Sequence, residues 1–218
     1  MKVRAVTVAA LVAAAAAGSC RGCPASSGPA APGALKIPHA TAPITPDGET
    51  NETDWNRVAL RSGAFTDPST GAAAIPHSEA RLLWDERNLY LMLYAGDEEI
   101  RGSTGDVPEP LEDLFELHLG PPGAKGCDLS FNPAGRIRGA PACTAGVRAG
   151  GDLDGTLNNP ADLDEEWVVE TAIPWSVIGV KGAPGTTLDL RLRRCDTPKG
   201  APTRCGAWAP ANPISLDR

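Results

Sequence analysis

Positive charge is what this chain is short of. Twenty Lys and Arg stand against 27 Asp and Glu, a formal net charge of −7. Nucleic-acid phosphates call for clustered cations, so this balance argues against that class of partner. The local exception, Arg191, Arg193 and Arg194, reads as the solvated face of a strand. Aromatic residues make up only 5% of the chain. Histidine is rare too. His39, His77 and His118 stand near no Gly-x-Ser-x-Gly motif, which leaves Ser/His/Asp catalysis without support. Acidic residues are plentiful but never take EF-hand spacing. No single carboxylate pair stands out as glycoside hydrolysis would require. Long segments with a 3.6-residue period are missing, as are internal repeats.

The N-terminus carries an address rather than a fold. Lys2 and Arg4 precede an apolar run from Val6 to Ala17, then Gly18-Ser19-Cys20. A basic start, a short apolar core and small residues make an export signal. The run is too short for a membrane-spanning helix, which needs ~20 residues. Residues 1–20 are therefore read as a signal peptide of lipoprotein type, with Cys20 the lipidation site. Ala17 stands where Leu is usual, so ordinary cleavage after the Ala run remains an alternative. Residues 21–41 are rich in Pro, Ala, Gly and Ser and read as a disordered tether. Residues 42–218 then form one domain, placed at the cell envelope or secreted.

Six cysteines suit an exported protein. Cys127 and Cys143 flank a hairpin turned at Asn132-Pro133-Ala134-Gly135. Cys195 and Cys205 flank a loop centred on Lys199-Gly200. Pairing Cys127 with Cys143 and Cys195 with Cys205 closes two local loops, each contributing roughly 3 kcal/mol if unstrained. Cys23 is left without an assigned role. The Cys20-x-x-Cys23 pair is a weak redox or zinc candidate, because no further ligand stands near it.

The domain reads as strands. Ala80–Trp84 and Leu89–Ala95 make a hairpin turned through Asp85–Asn88. Both faces of Leu89–Ala95 are apolar, which predicts a central strand. An acidic strand follows over Glu112–Leu119, then alternating runs at Trp167–Ile173 and Leu188–Arg193. Turn signals separate them at Pro121-Pro122-Gly123, Gly150-Gly151, Asn158-Asn159-Pro160 and Pro184-Gly185. Short helical turns are expected at Thr53–Val58 and Pro174–Ile178. Many short strands with Gly/Pro turns predict an all-β antiparallel sandwich, jelly-roll-like.

The order of these residues resembles a known family. Asp47-Gly48 and Asp54-Trp55 lead to Leu83-Trp84-Asp85 and Leu89-Tyr90-Leu91. Then come Asp97, Glu112-Asp113 with Glu116, and Phe131-Asn132-Pro133-Ala134-Gly135. Glu166-Trp167-Val168-Val169-Glu170, Ile173-Pro174-Trp175 and Ala207-Trp208 close the series. This set, spanning about Ile44 to Trp208, is similar to the family 9 carbohydrate-binding modules. The resemblance implies a non-catalytic β-sandwich that binds sugars, often attached to secreted glycoside hydrolases. The best-described members of that family clamp a terminal sugar between two tryptophans. Those positions fall here at Leu111 and near Leu216, and an Arg of the family is Ser130. The clamp is missing; Glu116, Asn132 and, less securely, Asn212 match.

Sugar rings pack their axial C–H groups on aromatic faces. Trp55, Trp84 and Trp175 stand in fold-defining motifs and read as core; Trp167 fits either role. Trp208, at a strand end, is the candidate platform, with Glu116, Asn132 and Asn212 as polar partners in ligand binding. Asp97, Glu112 and Asp113 are candidate calcium ligands, since carboxylates suit that ion and family relatives often carry it. Asp152, Asp154, Asp162, Asp164, Glu165 and Glu166 read as a second acidic loop, solvated. The expected function is non-catalytic glycan binding by an exported, lipid-anchored module, accessory to polysaccharide breakdown. One alternative is an envelope structural or protein-binding head that has lost sugar binding. A minor one is a haem-binding sandwich with Met92 and His118 as axial ligands.

Overall fold

The computed structural model describes residues 35–105 and 111–218. The signal segment, Cys20, Cys23 and the tether as far as residue 34 lie outside them. Among the described residues, twelve strands form two sheets. The larger is ordered β1 (Lys36–Ile37), β12 (Ile214–Leu216), β10 (Thr187–Asp196), β5 (Leu114–Gly120), β6 (Cys127–Phe131), β7 (Ile137–Gly139). In it β11 (Arg204–Trp208) pairs with the second half of β10. The smaller sheet is ordered β2 (Leu60–Arg61), β3 (Ser78–Trp84), β4 (Asn88–Gly96), β9 (Glu166–Pro174), β8 (Arg148–Asp154). Among the described strands the β1–β12 pairing alone is parallel, and an isolated parallel bridge joins His39 to Trp84. Three short helices complete the described chain: α1 (Thr53–Arg57), α2 (Pro141–Thr144) and α3 (Trp175–Ile178). The fold is an all-β sandwich.

Side-chain alternation builds the core. In β5, Phe115, Leu117 and Leu119 point inward and are buried, while Glu116 and His118 point outward. In β10, Leu188, Leu190 and Leu192 meet them from the next strand. The smaller sheet answers with Leu82, Trp84, Leu89, Leu91, Leu93, Trp167, Val169 and Ile173. The indoles of Trp84, Trp167 and Trp175 find acceptors for their N–H groups. Trp84 donates to the Asp217 carbonyl (2.8 Å), Trp175 to the Asp85 carbonyl (2.7 Å) and Trp167 to Asp97 (3.1 Å). A buried indole without such a partner carries a desolvation penalty.

The strand β4 is apolar on both faces because the smaller sheet is covered on both. Its outer face carries Leu83, Tyr90, Met92, Val168 and Ala172, under a lid formed by Ala40, Ile44 and Trp55. Residues 38–40 reach the lid by bonding along the end of β3, where Ala40 N donates to the Trp84 carbonyl (2.8 Å). The domain thus begins earlier than residue 42. Ile37 is fully buried and Lys36–Ile37 pairs with β12, so the end of the segment read as tether belongs to the sandwich.

Gly150 and Gly151 are strand residues, not a turn. They sit in mid-β8, with Gly150 opposite Glu170. A Cβ on Gly150 would lie 2.3 Å from the Asp47 carbonyl carbon. Its absence lets the Asp47-Gly48 turn settle on the sheet. Gly48 takes φ +98°, a region L side chains avoid, and donates its N–H to Glu170 (3.1 Å). Both disulfides close local loops. Cys127–Cys143 ties β6 to α2, and Cys195–Cys205 joins directly opposed residues of β10 and β11.

Candidate functional site

Among the described residues no lid covers the outer face of the larger sheet, and a trough of about 520 Å3 lies along it. Strand register lays its floor. One row crosses five strands: Arg138 on β7, Ser130 on β6, Glu116 on β5, Arg193 on β10 and Ala207 on β11. A second row, two residues along, places Asp128, His118 and Arg191 side by side. Rows so spaced lie ~7 Å apart and face the same way. All of these residues line the trough. Gly139, Ala207 and Ala209 leave its sides low.

The charges on this floor are mostly paired. Arg193 Nε donates to Glu116 Oε2. His118 and Asp128 share a hydrogen bond of 2.7 Å. Arg138 holds Glu112 through Nη1 at 2.7 Å. Glu112 in turn accepts from Asn132 Nδ2 (2.9 Å) and from the Ser103 N–H (3.0 Å), which braces the loop over one end of the face.

The candidate ligand residues do not gather into one site. Glu116 stands in the floor. Asn132 is fully buried, and its amide donates to the Ser103 carbonyl and Glu112 and accepts from the Arg136 N–H. It is a brace, with nothing left to offer a sugar. Trp208 opposes Leu192, so its ring points to the core side, where it packs against the main cluster. It is no platform for the trough. Asn212 is exposed in the loop between β11 and β12 and does not line it. Of the two clamp positions, Leu111 is exposed and Leu216 is buried in β12. The residues that reading the sequence passed over are Arg138, Arg191, Arg193 and Asp128. Their signal is the period of two, which puts them on the same face as Glu116 and His118.

Asp97, Glu112 and Asp113 do not form a calcium site together. Glu112 faces Arg138, while the carboxylates of Asp97, Asp113 and Asp196 converge within 4.8 Å of one another. The cation there is Arg194. Its guanidinium reaches Asp97 at 2.5 Å and Asp196 at 3.2 Å, with Asp113 at 4.0 Å. A divalent ion would meet that guanidinium head-on, so the residues do not fit one. Arg194 is inward-facing and buried, not part of a solvated face as its neighbours Arg191 and Arg193 are. Burial and the neighbouring Asp97 push the Asp113 carboxyl up to about 7. Asp164, read as solvated, is also buried and accepts from the Ile100 and Thr156 N–H groups at 2.7 and 2.8 Å. The haem pairing fails on geometry: Met92 lies under the lid of the smaller sheet and His118 on the open face of the larger.

No family model and no curated protein matches the chain. Solved structures do. A family 9 carbohydrate-binding module from Caldicellulosiruptor kristjanssonii in complex with cellotriose superposes with a TM-score of 0.63. It is 16% identical, over 84% of this chain and 93% of that one. A Bacteroides uniformis protein of proposed carbohydrate-binding function gives 0.62 at 17% identity, over 84% and 98%. The Caldicellulosiruptor kristjanssonii module in complex with glucose gives 0.59 at 17%, over 84% and 96%. At such identities the likeness is one of fold, and this chain has the sandwich of those modules.

Proposed function

We propose that this protein is a non-catalytic glycan-binding module whose site is the trough on the open face of the larger sheet. The observation that carries this is the floor itself, a row of alternating donors and acceptors left uncovered where the opposite sheet is lidded. Hydrogen bonds from such groups fix the orientation of a sugar through its hydroxyls. The shared fold with modules solved on cellotriose and glucose supports the same class of ligand. The floor shows no nucleophile with an adjacent base. Glu116 is engaged by Arg193 and Asp128 by His118, which suits recognition better than proton transfer. The module belongs, in this reading, to an exported protein anchored through Cys20, presenting the head to polysaccharide beside a secreted glycoside hydrolase.

The test is calorimetric titration of the full chain with a panel of oligo- and polysaccharides. Tryptophan fluorescence is a poor reporter, because no tryptophan lines the trough. Saturable heat that weakens at least tenfold in Glu116→Ala, with unchanged melting, supports the assignment. Silence across the panel overturns it and leaves a protein-binding head.

A further inference from the structure

The trough lacks what a neutral sugar most uses. Trp55, Trp84, Trp167 and Trp175 are buried in the two hydrophobic clusters, and Trp208 faces the core side of the sheet. Phe65, Phe115 and Phe131 are fully buried. Tyr90 and Tyr94 pack in the cluster on the outer face of the other sheet. Apart from the His118 imidazole, no aromatic ring lines the trough, so the C–H packing that anchors neutral hexoses has no surface there.

What the floor has instead is guanidinium groups. Three arginines line it in a protein whose net charge is −7. Arg138 is neutralised by Glu112 and Arg193 by Glu116. The Arg191 side chain is exposed, and its guanidinium makes no hydrogen bond or ion pair among the described residues. It stands on the same strand and face as Arg193, one row away, beside His118. Arg191 is therefore the guanidinium of the floor that no carboxylate engages, with a second one, half exposed, ~7 Å along the strand. A guanidinium presents parallel N–H donors that match a carboxylate or a sulfate.

Resting on the glycan-binding reading above, we propose that the ligand is an acidic glycan, whose anionic group pairs with Arg191 while neighbouring hydroxyls bond Glu116, Ser130 and Arg193. Uronate carboxylates and sulfate esters share this chemistry, and the experiment separates them. The full chain is titrated with an oligogalacturonate, with a sulfated oligosaccharide and with neutral cello-oligosaccharide, at low and at high salt. The expected result is binding of an acidic oligosaccharide roughly ten- to hundredfold tighter than the neutral one. That preference shrinks as salt is raised. Arg191→Gln removes it and Arg191→Lys retains part of it, both with unchanged melting, since Arg191 is exposed. Tighter binding of the oligogalacturonate identifies the group as a carboxylate, and of the sulfated sugar as a sulfate ester. Equal binding of neutral and acidic sugars, unaffected by Arg191→Gln, overturns the acidic-ligand proposal and leaves glycan binding standing. No binding of any sugar overturns both.

Discussion

The two outer faces of the sandwich were made by the same rule and put to opposite uses. On the smaller sheet, the outward positions Leu83, Tyr90, Met92, Val168 and Ala172 are apolar and lie under a lid of Ala40, Ile44 and Trp55. On the larger sheet, the outward positions Glu116, His118, Asp128, Ser130, Arg191 and Arg193 are polar and open. Each face is one half of an alternating pattern, yet only one is buried. The difference lies in what the preceding chain can cover. Residues 38–57 cross from β1 to the edge of β3 and carry an indole and an aliphatic side chain to set down there. On the other face, Glu112 just before β5 braces one end through Arg138, and among the described residues nothing covers the rest. One face is buried and contributes stability, and the other carries the proposed recognition site, so substitutions on the two should divide accordingly.

Trp55→Ala is the largest expected breach. Trp55 is fully buried in the lid, and removing a core tryptophan costs about 3–5 kcal/mol. Urea unfolding of the variant should show a much lower midpoint, while any sugar binding at low denaturant is retained. A loss of binding as large as the loss of stability would deny that the two faces act separately.

Glu170→Gln sharpens the contrast through pH. Glu170 lies on the lidded face, fully buried, where it accepts from the Gly48 N–H. Burial is the main cause that pushes its carboxyl up to about 7, aided by the charges of Glu52 and Asp47. Between about pH 4.5 and 7 the folded chain therefore keeps a proton that the unfolded chain releases. The stability this proton contributes is complete below the unfolded pKa and is lost as pH rises through 7. Gln mimics the protonated form. The variant should match the parent in stability near pH 4 and exceed it by up to about 3 kcal/mol at pH 8. Asp113, also raised to about 7, leaves a residual slope in both. Identical melting curves at pH 8 would refute the buried neutral carboxyl.

On the open face the expected cost to the fold is smallest. Arg193 and Glu116 are paired with side chains 54% and 39% exposed. Such pairs contribute about 0–1 kcal/mol, so Arg193→Ala should leave the urea midpoint nearly unchanged. Its effect belongs in ligand affinity, read by the same titrations as Arg191→Gln. A large loss of stability would show that the floor carries structural weight.

The sandwich was legible in the chain because a strand shows its period of two at any position along it. The hairpin at Asp85–Asn88, the central β4, the β5 alternation and the two short cysteine loops all depend on neighbours close in sequence. Which row of a strand meets the core, which face receives a lid and which ions pair are long-range facts. Arg194 and Arg193 are adjacent, yet one is buried among Asp97, Asp113 and Asp196 and the other faces solvent. Asp196 follows two residues on along the same strand, but Asp97 and Asp113 come from distant parts of the chain. Trp208 had the composition of a sugar platform, but its pairing with Leu192 turns the ring to the core side. Asn132 matched a ligand-binding position, and the tertiary structure spends its amide on bracing Glu112 and Ser103. Local alternation determined the strands and their two-sidedness. Only the packing of segments far apart in sequence decided which side is covered, because burial and charge pairing depend on what arrives from elsewhere.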